Sequence, residues 1–459
     1  MLLFVIKKFK VFFIKKATFL FQRVIIIRLK GGEMKILIGG AGKVGYNLAK
    51  LLSNSHDVTI IDTNPSALEY INETLDVLTI HSDLRNILTY QSLKDEYDYY
   101  IAVTNNDEIN LLSSFFIDDY TNTKSKISRL KNTSYLLANL NKKFNIDYFV
   151  YPLKLTASNI AKIINFPYAN NIKELPYIEH KLFSTFSEND YQVSLLNSEN
   201  SVVVGVYRKG EFLFLDESDF ILEGDLVYIL ATEEKAKKIL KNLSPSTPQE
   251  IENVLIFGAG DIGIEIARTL HEFGLNIKIV EKDEQKAQKA ADILEEDVMV
   301  INASYEDENL FTSENLHLSD LAIAATRFDE TNIIKGLFAK KLGIKKVICI
   351  NNNLNYYSMM TSLKLPAVRG PKLSAVSQIL EEINNTGNIY EKFFLGMEGK
   401  IFIKKIFSKT KFQAPKEKAK VIVIREDKIF IPQNNEEILE NDIVIEFNFS
   451  GNVAWIEKL

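Results

Sequence analysis

Ile36-Leu37-Ile38-Gly39-Gly40-Ala41-Gly42-Lys43-Val44-Gly45 reads as a buried strand that runs into a glycine-rich turn and then opens a helix. The apolar run shows no polar alternation, as expected of a strand covered on both faces. In Gly40-x-Gly42-x-x-Gly45 the first glycine permits a tight turn. The second lets a pyrophosphate approach the backbone, and the third lets the helix pack closely on the strand. The N-terminus of that helix supplies free N–H groups and the positive end of a dipole. A glycine pattern alone is a weak signal, but here the context is complete. Ile60-Ile61-Asp62 ends a second apolar run, and Asp62 lies 22 residues beyond Gly40. A carboxylate there can accept both ribose hydroxyls and would repel a 2′-phosphate, which favours NAD over NADP.

The stretch occurs twice. Val254-Leu255-Ile256-Phe257-Gly258-Ala259-Gly260-Asp261-Ile262-Gly263 repeats it 218 residues later, followed by Val280-Glu281. Thr104-Asn105-Asn106-Asp107-Glu108-Ile109-Asn110 is matched by Thr326-Arg327-Phe328-Asp329-Glu330-Thr331-Asn332, and Pro152 by Pro371. A period this long excludes a solenoid and indicates a duplicated two-domain unit. Apolar runs at 35–39, 57–62, 77–80, 98–103 and 126–130 alternate with helical patterns such as 43–53, 65–75 and 108–120. Runs near 253–257, 276–281, 298–301, 320–324 and 346–350 repeat the order. Alternating strand and helix with continuous apolar strands predicts a doubly wound parallel sheet. Residues 177–232 and 394–450 change to alternating patterns rich in Val, Ile and Phe, so each sheet is followed by a small β-rich domain. Ser244-Pro245-Ser246-Thr247-Pro248 is the clearest linker, and Asn384-Asn385-Thr386-Gly387 marks a similar boundary. The expected layout is a Rossmann-like domain at 34–166, a β-rich domain at 167–243, a linker at 244–250, a second Rossmann-like domain at 251–386 and a second β-rich domain at 387–459. The fold class is therefore α/β, a duplicated unit of Rossmann-like sheet plus small β-rich domain.

With 459 residues, 46% hydrophobic and 25% charged, the chain can build several ordinary cores. Its formal net charge of −5 argues against a polybasic nucleic-acid binder. One cysteine, Cys349, excludes an internal disulfide and any Cys-rich metal site. Residues 1–33 stand apart, with eight Lys or Arg and one Glu among many large apolar residues. The charges interrupt every apolar run before the roughly 18 residues of a membrane span. Three readings stay open: a basic amphipathic helix on a membrane surface, an extension packed on a partner, or a stretch upstream of a working start at Met34.

Thr104-Asn105 follows the fourth strand at the carboxyl end of the sheet, where ligands of doubly wound folds sit. It is read as a ribose or phosphate contact, or as the N-cap of the next helix. Arg129 ends the fifth strand and is read as a phosphate grip or as a surface ion pair. None of the histidines His56, His81, His180, His271 and His317 sits in a catalytic motif. No metal-ligand spacing, nucleophile elbow or P-loop lysine is present. Two nucleotide folds without a catalytic set point to a sensor working by differential binding.

This repeated order of glycine loop, Asp62 or Glu281, Thr-x-x-Asp-Glu-x-Asn and β-rich domain resembles the TrkA family, regulatory subunits of bacterial Trk potassium uptake systems built of tandem RCK (KTN) units. The resemblance covers nearly all of residues 34–459 and none of 1–33. It implies NAD(H), and adenine nucleotides such as ATP and ADP, as ligands. It implies a peripheral protein on the cytoplasmic face of the inner membrane, docked on a TrkH-type potassium-translocating subunit, and a homo-oligomer. It implies a first site of Gly40, Ala41, Gly42, Lys43, Val44, Asp62, Thr104, Asn105 and Arg129. The second would hold Gly258, Ala259, Gly260, Asp261, Ile262 and Glu281. Ser82-Asp83 and Ala303-Ser304 are weaker matches to the family's pattern. The counterpart of Arg129 falls near Cys349, so that cation is missing from the second unit. Asp261 puts a negative charge beside the second loop unless it caps the helix. The competing readings are an NAD-dependent oxidoreductase and a scaffold with degenerate clefts.

Overall fold

Each glycine loop lies at the carboxyl edge of a six-stranded parallel sheet. The computed structural model describes residues 34–459 except 94–95, 138–139, 306–307, 386–387 and 453, so the readings of residues 1–33 fall outside the described residues. The first sheet comprises Lys35–Gly39, Asp57–Asp62, Leu78–His81, Tyr97–Ala102, Thr123–Arg129 and Tyr148–Val150. Numbered by sequence, these strands lie in the order 3-2-1-4-5-6. The second sheet, Asn253–Phe257, Asn276–Glu281, Met299–Asn302, Leu321–Ala324, Lys346–Asn351 and Ala367–Arg369, repeats that order. The change of direction between strands 1 and 4 opens a crevice at their carboxyl ends. Ile36, Leu37 and Ile38 are fully buried there, as are Leu255, Ile256 and Phe257.

The short sixth strands were not foreseen. Tyr148–Val150 and Ala367–Arg369 have three residues each, too few to show a period. Each leads into a helix opened by its proline: α1 (Pro152–Ile164) and α2 (Pro371–Asn384). Both helices cross to the opposite unit. Ala157, Ile160, Ala161 and Ile163 of α1 join the core of the second sheet, beside Ile256, Ile266 and Leu270. Ala375, Val376, Ile379, Leu380 and Ile383 of α2 join the core of the first, beside Ile36, Ile38 and Leu48. The Thr156 and Ser374 hydroxyls lie 3.1 Å apart where the two helices meet.

The β-rich parts are five-stranded antiparallel sheets of matching topology. The first joins Glu211–Phe214, Ser201–Arg208, Leu226–Ala231, Lys181–Phe186 and Asn171–Glu174 in that spatial order. Lys428–Phe430, Ala419–Arg425, Ile443–Asn448, Gly399–Lys405 and Ile389–Phe394 form the second in the equivalent order. One face of each packs on the other, with Val202, Val204 and Leu230 against Ile401, Ile403 and Ile445. Phe394 lies 5.4 Å from Phe212 and 5.5 Å from Tyr228, ring centre to ring centre. Arg208 with Asp225 and Arg425 with Asp442 form the same paired bridge in both copies. The chain thus folds as an internal pseudo-dimer.

Candidate nucleotide clefts

Two loops of identical construction face the crevices. Gly40 has φ +111° and Gly258 φ +107°, conformations that disfavour any side chain. A Cβ on Gly45 would fall 1.9 Å from the Gly40 carbonyl oxygen, and one on Gly263 2.0 Å from that of Gly258. The third glycine is therefore fixed by helix–strand contact. Around Gly42 and Gly260 the reverse holds: a Cβ there would meet nothing within 4 Å. The space above the middle glycine is open to a ligand.

Gly42 and Gly260 are also the N-caps of the helices Lys43–Leu52 and Asp261–His271, and no side chain caps either. Their first-turn N–H groups point to the crevice without a protein acceptor from the cap. Asp261 is thus not a capping residue. It occupies the first turn, where its charge favours the dipole but opposes a phosphate. Ala41, Val44 and Ala259 are buried in the cores, so only their backbone can meet a ligand.

The acidic residues are tied to the loops. Asp62 Oδ2 accepts from the Ala41 N–H at 2.6 Å and Oδ1 from the Asn64 N–H at 2.8 Å. Glu281 Oε2 accepts from the Ala259 N–H at 2.9 Å and Oε1 from the Asp283 N–H at 3.0 Å. Each oxygen retains a further lone pair. Asp62 is partly exposed, whereas Glu281 is buried beside Tyr305. Burial, and then the Glu281 carboxylate, push the Tyr305 hydroxyl well above its ordinary range.

Thr104 faces its crevice as a partner of Asn110. The Asn110 Oδ1 accepts from the Thr104 N–H at 2.9 Å and its hydroxyl at 2.7 Å, while Nδ2 donates to the Arg129 carbonyl at 2.7 Å. Asn332 makes the same bonds with Thr326 and the Ile350 carbonyl. Sequence reasoning quoted both asparagines in the repeat but missed their role, which is to lock the fourth strand to the fifth. The helix Asp107–Tyr120 is capped by Asn106, whose side chain accepts from the Ile109 N–H at 2.7 Å, and not by Thr104 or Asn105. Asp107 and Asp329 accept from backbone N–H groups of Lys131 and Asn352, which accounts for the Asp of the motif.

Arg129 is 7% exposed, so it is not a surface ion pair. Its Nη1 reaches the Asn105 Oδ1 at 3.4 Å, and its buried Nε has no hydrogen-bond partner. Burial lowers its pKa, with Asp107 opposing. Strand register places Ser128 beside Ala102 and Cys349 beside Ala324, so the counterpart of Arg129 is Ile350 rather than Cys349. The cation is absent from the second unit all the same. Lys372 at the start of α2 is within electrostatic reach of Lys43 and Arg129 of the first unit and of Arg327 of its own. Burial, then Lys43, lower the Lys372 pKa; Arg327 and Arg129 add to this, and Asp329 opposes it. This convergence of cations from both units was invisible in the sequence, because it exists only once the helices have crossed. Among the described residues no group of His, Cys, Asp and Glu is placed to hold a metal ion. No helix among them is long and apolar enough to cross a membrane.

The TrkA-N domain family matches residues 36–152 and 254–369, which together make up half of the chain. The chain belongs to the TrkA family. Trk system potassium uptake protein TrkA homolog 2 of Methanosarcina mazei is 26% identical over 452 residues, covering 93% of this chain and 100% of the relative. The Trk system potassium uptake protein TrkA of Vibrio alginolyticus is 26% identical over 369 residues, covering 76% of this chain and 79% of its own length. Among solved structures, the GsuK RCK domain superposes with a TM-score of 0.60 at 13% identity, covering 94% of this chain and 96% of that one. The GsuK channel bound to NAD gives 0.59 at 15% identity, covering 95% and 81%. At these identities the likeness shows a shared RCK fold.

Proposed function

We propose that this chain is a nucleotide-binding regulatory subunit that gates a membrane potassium uptake transporter. One observation carries the reading: each unit of this TrkA-family chain holds an open glycine loop at an uncapped helix N-terminus, tied to a strand-end carboxylate. In the first site Gly42, Lys43 and Val44 offer backbone N–H groups to phosphates, while Gly40 and Ala41 shape the loop, their N–H groups donated to the Ile61 carbonyl and the Asp62 carboxylate. Asp62 takes the ribose hydroxyls on its spare lone pairs, and Thr104, Asn105 and Arg129 line the phosphate end. The second site uses Gly258, Ala259, Gly260, Asp261, Ile262 and Glu281 and is the weaker, since it has Asp261 at the loop and Ile350 in place of an arginine. NAD(H) is the ligand of the first site, with ATP and ADP as further ligands. The name of the GsuK channel bound to NAD supports that choice.

Regulation follows from differential binding rather than turnover. Lys372 of the second unit is within electrostatic reach of Lys43 and Arg129 of the first and of Arg327. Phosphates entering one cleft therefore change the balance of charge felt by the other unit. Each tenfold preference of a ligand for one arrangement shifts the equilibrium by about 1.4 kcal/mol. The Trk potassium uptake names of the relatives support a membrane partner in potassium uptake; the partner is read as TrkH-type, the chain as peripheral on the cytoplasmic face and the assembly as homo-oligomeric. The duplicated layout proposed from the sequence, with boundaries at 34–166, 167–243, 251–386 and 387–459, gives each unit one sensing cleft. The test is potassium flux in vesicles holding the membrane partner, with and without the full chain and NADH or ATP. Flux that changes with nucleotide only when the chain is present supports gating. Flux indifferent to nucleotide refutes it.

A further inference from the structure

A second polar pocket, of about 290 Å³, lies away from both clefts, where α1 and α2 cross beneath the β-rich sheets. It sits on the internal pseudo-two-fold. Asn159 and Gln378, equivalent positions of the two crossing helices, both line it, and so do Lys162 and Glu381. Lys173 pairs in register with Leu182, and Lys392 with Ile401, so these two lysines are equivalents on the first strands of the β-rich sheets. Both line the pocket too.

The charges in this pocket do not balance locally. Lys162 is held by Glu174 at 2.9 Å, and Lys392 by Glu381 at 2.9 Å. The Arg369 guanidinium donates to the Ser377 hydroxyl, which in turn donates to Glu381 at 3.0 Å. One carboxylate, Glu381, thus answers Lys392, Arg369 and Lys173 together, while Glu382 is exposed at the rim. Among the described residues the Lys173 amine has no hydrogen-bond or salt-bridge partner. Burial, then Arg369, hold its amine well below the usual lysine range. Beside it, Gln378 donates to the Tyr148 hydroxyl at 2.6 Å, and its buried Oε1 has no partner. Whichever way that amide is turned, one end is free. An under-compensated guanidinium, an unpartnered amine that an anion would favour in its charged form, and a free amide around a chamber large enough for a small molecule describe a receptor for an anion.

We propose that this pocket binds a small oxyanion, a phosphate or a carboxylate, on Lys173 and Arg369, with Gln378 holding a neighbouring polar group of the same ligand. The site stands on residues of both units, so its ligand braces the crossed helices against the β-rich pair. It is independent of whether the clefts bind nucleotide.

The experiment uses the full chain and inorganic phosphate, with acetate and citrate as the carboxylate arm. Lys173 acetylation by acetic anhydride is followed by peptide mass spectrometry. Phosphate or carboxylate should slow labelling at Lys173 about tenfold at roughly ten times its dissociation constant. The anion that protects at lower concentration identifies the ligand class. In thermal melts the same anion should raise the midpoint of the wild type and of Lys173→Arg but not of Lys173→Met, while NADH shifts all three alike. Unchanged Lys173 labelling at saturating phosphate, acetate and citrate would overturn the proposal. Equal anion responses of wild type and Lys173→Met would overturn it as well. Because the labelling is done on the wild type, a variant that fails to fold leaves the test intact.

Discussion

Asp62 stands at the junction of two duties, holding the Ala41 and Asn64 N–H groups and facing the first crevice. Asp62→Ala removes both bonds and the ribose acceptor while leaving the strands untouched. NADH affinity at the first site should fall at least about tenfold, with a stability loss of about 1–3 kcal/mol, as measured by calorimetry and urea unfolding. That carboxylate was legible because its 22-residue spacing from Gly40 is imposed by one strand–helix–strand unit. Glu446 was not legible, since its burial arises only when the outer face of its sheet, with Phe402, Val421 and Val444, is covered by Phe412 and Ile456. It is 2% exposed, bonded to Asn448 through Oε1 and unpartnered at Oε2. Burial raises its pKa from 4.5 to about 7, with Asn448 opposing and Glu417 adding. The protonated form is therefore favoured in the folded state, and its contribution is full below pH 4.5 and lost as the pH rises through 7. Glu446→Gln should be more stable than wild type by about 1–3 kcal/mol at pH 8 and show no such gain at pH 4. Denaturation midpoints at the two pH values check this.

The glycine loop and its helix act as one element in which each glycine has a separate task. Gly45→Ala drives a methyl into the Gly40 carbonyl at 1.9 Å and should cost about 1–3 kcal/mol or more. Gly42→Ala meets no protein atom within 4 Å and should melt like the wild type, yet lose nucleotide binding because its methyl occupies the phosphate approach. A Gly42→Ala protein that binds NADH normally would remove the loop from the site. Elements of the parallel sheets were legible to within a few residues, because buried strands and amphipathic helices carry distinct periods. Which sheet α1 and α2 cover was not legible, since an apolar face reads the same whatever it packs on. Ile160 shows the consequence: it is fully buried in the core of the opposite unit. Ile160→Ala should cost about 2–5 kcal/mol. Hydrogen exchange should register the loss in strands Asn253–Phe257 and Leu321–Ala324 of the second unit.

At the scale of the molecule, crossed helices and stacked β-rich sheets join the two halves through shared cores around a pseudo-two-fold. The repeat in the sequence foretold the duplication, and the single charges that break it, Arg129 against Ile350 and Lys43 against Asp261, make the two clefts unequal. The central claim is that the first cleft is a working NAD(H) site and the second a weaker one. The most direct measurement is calorimetric titration of the full chain with NAD, NADH, NADP, ATP and ADP, run in parallel on Asp62→Ala. The account predicts saturable binding of NAD(H), much weaker NADP, and loss of the tighter phase in Asp62→Ala. Absence of binding by every nucleotide, or titrations unchanged by the substitution, would contradict it.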